Sequence, residues 1–154
     1  MSSFTQPLVI TYDDRASRAL GGTYWRLWQG FRYDLGEKGS ARWVNVPAGF
    51  LTDGASVPRA FWSIIPPWGA YGQAAVLHDY LCEFLSITVN GAPQRITRAQ
   101  CDAILDEAMG VLGVPPATKG AIYDAVCLYR AVSGVSQPSS TAAKRALEAA
   151  WVPA

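Results

Sequence analysis

One short apolar segment contains the only histidine of the chain, and an aspartate follows it directly. The segment is AVLHDYLCEF, residues 75–84, in which His78 and Asp79 stand among residues typical of a core helix. Leu77 and Leu81 mark an apolar stripe, and His78 lies beside it, so His78 is predicted to point inward. A buried imidazole needs partners for its ring nitrogens, and a carboxylate partner would orient the ring and raise its pKa.

Two further aspartates occupy places where the local pattern is apolar or tightly turned. Asp53 lies in TDGASVPR (residues 52–59), at the exit of a predicted strand. Asp102 precedes Leu105 by three residues and Met109 by seven, so it is predicted to share their core-facing side. A carboxylate there is costly unless it is paired or bound to a metal. For Asp53, the alternative is that it only caps backbone amides of the turn.

These four residues would support chemistry if the fold brings them together. Asp53, His78 and Asp102 are the candidate catalytic residues, and the candidate metal ligands are the same three with Asp79. The alternative is a structural network in which His78 bridges Asp53 or Asp102 and ties sheet to helices, and the sequence favours this second interpretation. Cys82, four residues after His78, could meet the imidazole, but an apolar helix raises a thiol pKa and makes a poor nucleophile.

The elements that must position these residues divide the chain into a β part and an α part. Strands are predicted at residues 8–12, 23–35 and 41–53, with a turn at 36–40 and a bend at Pro47 to Gly49. Helices are predicted at 73–85, 96–113, 115–134 and 141–151, and a short helix or turn at 57–65. Thr97 and Gln100 form a predicted capping box, and Asn90-Gly91 is a strong turn signal. The fold class is therefore α+β, with an N-terminal antiparallel sheet or meander packed against three to four C-terminal helices.

The predicted organisation is a single domain over residues 1–134, followed by a short linker and a terminal docking helix over 135–154. In the helix predicted at 115–134, the apolar residues Ile122, Val126 and Tyr129 lie on one face. The terminal helix carries Leu147 and Trp151, which could dock on the body of the domain or on a partner.

Composition excludes several classes of protein. Half of the residues are hydrophobic, only 16 % are charged, and the net charge is +1, so no basic field exists to hold a nucleic acid. No apolar stretch approaches the ~18 residues of a membrane span, and the N-terminus lacks the pattern of a signal peptide. The three cysteines form no CxxC pair and are predicted to be buried thiols. We therefore expect a protein made in a cytoplasm, with no membrane span and no nucleic-acid partner.

Four motifs of the chain, taken together, resemble those of a known protein family. VPAGFLTDGASVPRAFW, GxYxxAAVLHDYL, ITRAQCDAILDEAM and IYDAV, in this order, resemble a domain-of-unknown-function family, family 1353, common in tailed phages and prophages. The resemblance covers about residues 43–134. The pattern falls on the following positions of this chain: Asp53, Gly54, Ser56, Pro58, His78, Asp79 and Asp102.

The phage setting of that family implies a virion or lysis role. The leading expectation is a structural protein of a bacteriophage virion, associated with the tail or baseplate, which docks on other tail proteins and takes its oligomeric state from the assembly. It would be made in the host cytoplasm, act in the tail and need no cofactor. The alternative is a small metal-dependent hydrolase of the cell envelope (peptidoglycan), carried on the tail and using one divalent metal ion. An assembly factor that leaves before the particle is complete is a third possibility.

Overall fold

The computed structural model describes residues 3–53 and 69–153 and shows an α+β fold, which confirms the predicted fold class. The elements are, in chain order, β1 (Ile10–Tyr12), α1 (Asp14–Leu20), β2 (Trp25–Leu27), β3 (Phe31–Asp34), β4 (Arg42–Val46), β5 (Leu51–Thr52), α2 (Gly72–Phe84), β6 (Ser86–Val89), β7 (Ala92–Arg95), α3 (Arg98–Val111), α4 (Pro116–Ser133) and α5 (Ala142–Ala149). The predicted helix at 57–65, like Gly54, Ser56 and Pro58 of the family pattern, lies outside the described residues.

The strands form two antiparallel sheets rather than one. The smaller has the order β1-β2-β5, and the larger has the order β3-β4-β6-β7. The aromatic run at 23–35 divides between the two sheets, because the chain turns at Trp28 to Gly30 and starts β3 in a different pairing. The bend at Pro47 to Gly49 is confirmed: Gly49 has a φ of 91°, and the Phe50 N–H donates to the Pro47 carbonyl.

The segment between the second and third predicted helices is a β-hairpin, which the sequence pattern did not indicate. β6 and β7 pair from Ser86 with Arg95 to Val89 with Ala92, and β6 also joins β4. The turn uses Asn90 and Gly91 with φ of 49° and 80°, as a two-residue hairpin loop requires. Asn90-Gly91 was predicted as a turn, and the β-branched Ile87 to Val89 before it favour a strand, but the segment Ala92 to Arg95 after it lacks a β pattern.

Helix α1 was also missed, because it is only 7 residues long and interrupts a β-rich region. Its ends nevertheless carry standard signals. Asp13 accepts a hydrogen bond from the Ala16 N–H at the N-terminus, and Gly21 adopts a φ of 72° at the C-terminus. The helix therefore follows local capping rules that the strand pattern around it obscured.

Helices α2 and α3 pack together, α4 packs against α3, and all three contribute residues to one apolar core. Most of α2 is buried, and α3 begins with the predicted capping box of Thr97 and Gln100. In α4, Ile122 and Val126 are buried, whereas Tyr129, predicted on the same apolar face, is half exposed. Tyr129 lies in the last two turns of α4, where no residue after Val126 is buried.

We predict that two glycine substitutions shift stability in opposite directions. Gly120 lies inside α4, and a Cβ added there would meet no other atom within 4 Å, so Gly120→Ala should raise the free energy of unfolding by about 0.5–1 kcal/mol. Gly91 has a φ of 80°, so Gly91→Ala should lower it by about 1–2 kcal/mol. Urea titration of both variants measures the two shifts, and a shift of the same sign in both would contradict the prediction.

Candidate functional site

His78 points into the core and contacts Asp102. Its Nε2 lies 2.7 Å from Asp102 Oδ1, and both side chains are buried. His78 comes from the middle of α2 and Asp102 from the first turns of α3, so the pair joins two helices that pack together. The inward orientation predicted for both residues is confirmed.

Asp102 has a second partner, Arg130, which was not among the predicted site residues. The Arg130 Nη1 donates to Asp102 Oδ2 over 2.8 Å. Arg130 continues the series of Ile122 and Val126 at a spacing of four, so it lies on the buried side of α4, near the end of the helix. This spacing was the available signal: a cation on an apolar face indicates a buried carboxylate partner. The two oxygens of Asp102 thus bind donors from two other helices.

Cys82 completes the immediate surroundings of the imidazole. Its Sγ lies 3.6 Å from His78 Nε2 and 3.9 Å from Nδ1. The neighbouring Cys101 thiol, and burial after it, raise the pKa of the Cys82 thiol far above its usual range. Cys82 is therefore a neutral thiol, which confirms that it is poorly suited to act as a nucleophile.

The charge state of His78 follows from these neighbours. Burial alone would lower the pKa of the imidazole, but Cys82 and Asp102 outweigh burial and raise the pKa to about 9. Asp102 contributes to this rise both by its hydrogen bond with the ring Nε2 and by its negative charge. At neutral pH, the buried carboxylate of Asp102 therefore binds two cations: the imidazolium of His78 and the guanidinium of Arg130.

Asp53 and Asp79 belong to a different cluster, around Tyr24. Asp53 is exposed just after β5, while Asp79 is half-buried on α2. Burial raises the pKa of the Tyr24 phenol; Lys144 opposes that rise, and the carboxylates of Asp53, Asp79 and Glu83 add to it. The structure therefore brings His78 and Asp102 into direct contact, while Asp53 and Asp79 both lie near Tyr24.

The second cluster contains cations from the terminal helix. The buried Glu83 carboxylate binds the Lys144 ammonium and, over 2.5 Å, the Arg145 guanidinium. Burial, and then the Asp79 carboxylate, raise the pKa of Glu83 to about 7, while Lys144 and Arg145 act against that rise. Sequence reasoning missed Glu83, Lys144 and Arg145, because nothing local indicates that residues 61 positions apart are paired.

Neither cluster is a ready metal site. Within residues 3–53 and 69–153, no group of three or more His, Cys, Asp and Glu side chains is arranged to hold a metal ion. One acceptor is notable: the buried Asp79 Oδ2 receives no hydrogen bond from the described residues.

A comparison with models of protein families shows to which family the chain belongs. The model of the family described as "Protein of unknown function (DUF1353)" matches residues 25–126, about two thirds of the chain. The chain belongs to the DUF1353 family. The DUF1353 match includes Asp53, His78, Asp79 and Asp102, and it ends before Arg130, Lys144 and Arg145.

One curated relative is "Uncharacterized protein y4jT" of Sinorhizobium fredii. It is 41% identical to this chain over 86 residues, which are 54% of this chain and 23% of the relative. The DUF1353 chain therefore spans about a quarter of the length of that relative. No solved structure matches this chain. Among the described residues, no helix has the length and apolar character needed to cross a membrane.

We predict a pH dependence of stability that comes from His78. The folded pKa of about 9 lies above the ordinary value of 6.5, so the stabilising contribution is complete below pH 6.5 and is lost as the pH rises to 9. The loss should be at most about 3 kcal/mol. Urea titrations at pH 7.5 and 9 measure it.

The matched variant is His78→Gln, which keeps a polar side chain but cannot titrate. Its free energy of unfolding should be lower at pH 7.5 and should change much less between pH 7.5 and 9. Glu83 completes most of its own titration below this window, so it does not mask the difference. Equal slopes for the wild type and the variant would show that the imidazole is not charged in the folded state.

Proposed function

We propose that this DUF1353 protein is a structural component of a tailed-phage virion that docks on other tail proteins. The motif order TDGASVPR, HDYL and the Asp102 helix, which resembles a family common in tailed phages and prophages, supports this setting. The longer relative supports a role for the domain as one part of a larger arrangement, because only a quarter of that protein matches this chain.

The observation that carries the proposal is an uncovered apolar surface at the end of α4, which we call the α4 face. It consists of Leu128, Tyr129 and Val132, which are 53%, 50% and 79% exposed. The three side chains are neighbours on the helix, because they are spaced by three and four residues. Contiguous exposed apolar residues on a soluble fold are typical of protein interaction sites, and tyrosine is among the residues enriched at such sites.

The buried site supports a structural role for His78. Both Asp102 oxygens and the Nε2 of His78 are engaged in bonds that join α2, α3 and α4. A substrate at this place would have to break bonds that hold the helices together. The bonding partners thus favour the structural network over the catalytic set of Asp53, His78 and Asp102.

A small metal-dependent hydrolase of the cell envelope is the second candidate function. The observation in its favour is Asp79 Oδ2, a buried carboxylate oxygen without a hydrogen bond from the described residues. Asp79 is one of the four predicted metal ligands, and a divalent ion is a partner that a carboxylate oxygen accepts. The remaining ligands would come from the surroundings of Asp79, where Glu83 also contributes a carboxylate.

We predict that the α4 face is needed for incorporation into particles. The double substitution Leu128→Asp and Val132→Asp should reduce the chain in purified particles at least about tenfold, since two charges would be buried at an apolar interface. Quantitative mass spectrometry of particles from the encoding phage or induced prophage measures this. The matched control is Val152→Asp, because Val152 is 80% exposed but does not belong to the α4 face.

A loss of incorporation can be assigned to the contact rather than to misfolding, because all three positions are exposed and these substitutions should leave folding almost unchanged. Particles that lack the wild-type chain would overturn the virion proposal. Particles that contain the double variant at the wild-type level would show that the α4 face is not the contact.

Metal analysis tests the alternative. Under the tail-protein proposal, we expect the purified chain to contain no stoichiometric divalent metal and its melting temperature to be unchanged by chelator. A hydrolase would bind about one ion per chain, lose it in the variant Asp79→Asn, and release peptidoglycan fragments only while the ion is bound. If the variant Asp79→Asn still binds the metal, Asp79 is not one of its ligands.

A further inference from the structure

A cavity of about 150 Å³ lies between the larger sheet and α3. Ile87 of β6 and Gln94 of β7, which are paired across the two strands, form part of its sheet side. Gln100, Ile104 and Glu107 form part of its helix side, and their spacing of four and three residues places them on one face of α3. The described lining residues include none of the four residues that the sequence indicates for chemistry, so the cavity is separate from both carboxylate clusters.

The cavity combines an apolar floor with a polar rim. Four buried side chains, between 2% and 6% exposed, form the floor: Leu35, Ile87, Ile96 and Ile104. Two charged groups and two amides, all at least partly exposed, form the rim: Arg42, Glu107, Gln94 and Gln100. An apolar lining with a few polar groups is typical of small-molecule sites. The volume is close to that of a cavity that holds benzene, so a ligand of this cavity must be small.

Glu107 is fixed in place by one of its two carboxylate oxygens. Its Oε1 accepts hydrogen bonds from the Tyr33 hydroxyl and from the Gly36 N–H, each over 2.7 Å. Its Oε2 receives no hydrogen bond from residues 3–53 and 69–153. The rim therefore carries a carboxylate that is already oriented and that keeps one oxygen available to a cation.

Arg42 contributes the opposite charge. It is the first residue of β4, and its carbonyl accepts from the Leu35 N–H, so its backbone is held in the larger sheet. Its guanidinium forms no ion pair within the described part of the chain, not even with Glu107, which lines the same cavity. The two opposite charges thus stand at one apolar floor and do not neutralise each other.

We propose that this cavity binds a small apolar zwitterion, namely an amino acid or a dipeptide with hydrocarbon side chains. The carboxylate of the ligand pairs with the Arg42 guanidinium, and its ammonium group binds Oε2 of Glu107. The hydrocarbon part of the ligand lies on the floor of Leu35, Ile87 and Ile104.

Charge complementarity favours this class of ligand over its neighbours. A simple carboxylic acid would leave Glu107 without a partner beside the bound ligand, and a simple amine would leave Arg42 without one. A neutral hydrocarbon would cover part of the water around both charges and replace none of it, which costs free energy. The inference goes beyond the docking function proposed above and does not depend on it, because the cavity and the α4 face share no residue.

Isothermal titration calorimetry of the full-length chain tests the class of ligand. The probes are L-leucine and the dipeptide L-alanyl-L-alanine, which carry the same two charges at different separations. Each is compared with its N-acetyl derivative, which lacks the ammonium group, and with its amide, which lacks the carboxylate. We expect saturable binding of at least one zwitterion and at least about tenfold weaker binding of its two derivatives, because each derivative loses one charge-assisted contact.

Three variants assign the binding to the cavity. Arg42→Gln should weaken binding of the zwitterion at least about tenfold but should not weaken binding of the amide further, since the amide has no carboxylate to lose. Ala103→Phe places a ring in the cavity from an exposed position of α3 and should abolish binding of every probe. The control is Arg95→Gln on β7, which removes an exposed cation next to Gln94 in sequence but on the opposite face of the sheet, and it should bind like the wild type.

Thermal melting shows that the variants are folded, as expected for substitutions at exposed positions. A preference for L-leucine identifies a free amino acid as the ligand, and a preference for the dipeptide identifies a short peptide. The proposal is overturned if neither zwitterion binds at concentrations up to about 10 mM. It is overturned equally if a derivative binds as tightly as its zwitterion, or if Arg42→Gln or Ala103→Phe binds as tightly as the wild type.

Discussion

The arrangement of the helices depends on one buried carboxylate, that of Asp102. It accepts from His78 on α2 through one oxygen and from Arg130 on α4 through the other. A charged group at this depth is stable only when its hydrogen bonds and its charge are both matched, and removing one partner leaves the others unpaired. Because all three groups must keep their partners, the positions of α2, α3 and α4 depend on one another. Apolar packing alone would fix these positions less strictly.

Adjacent residues of α2 serve two unrelated clusters. Successive residues on a helix are turned by about 100°, so His78 faces α3 and α4 while Asp79 faces the surroundings of Tyr24 and Lys144. The pair therefore does not act as one His-Asp unit. It places α2 between a core network on one side and a largely ionic network with the terminal helix on the other.

Much of the fold was predictable, because helical periodicity and capping are local signals. The inward direction of His78 and Asp102 and the capping box at Thr97 followed from spacing within single helices. Arg130 was missed because its partner lies 28 residues away, and the hairpin of β6 and β7 was missed because only the first of its two strands carries β-branched residues. Local sequence indicates which groups need partners, whereas the fold determines which partners they receive.

The place where the core ends has a consequence for the order of events during synthesis. Every described residue of the apolar core has been added to the growing chain once Val126 is made, and residues 135–153 are added after it. Domains generally fold as units, from the N-terminus onward, as the chain is synthesised. The core can thus begin to pack before Lys144 and Arg145 have been made, so the Glu83 carboxylate meets its two cations only afterwards.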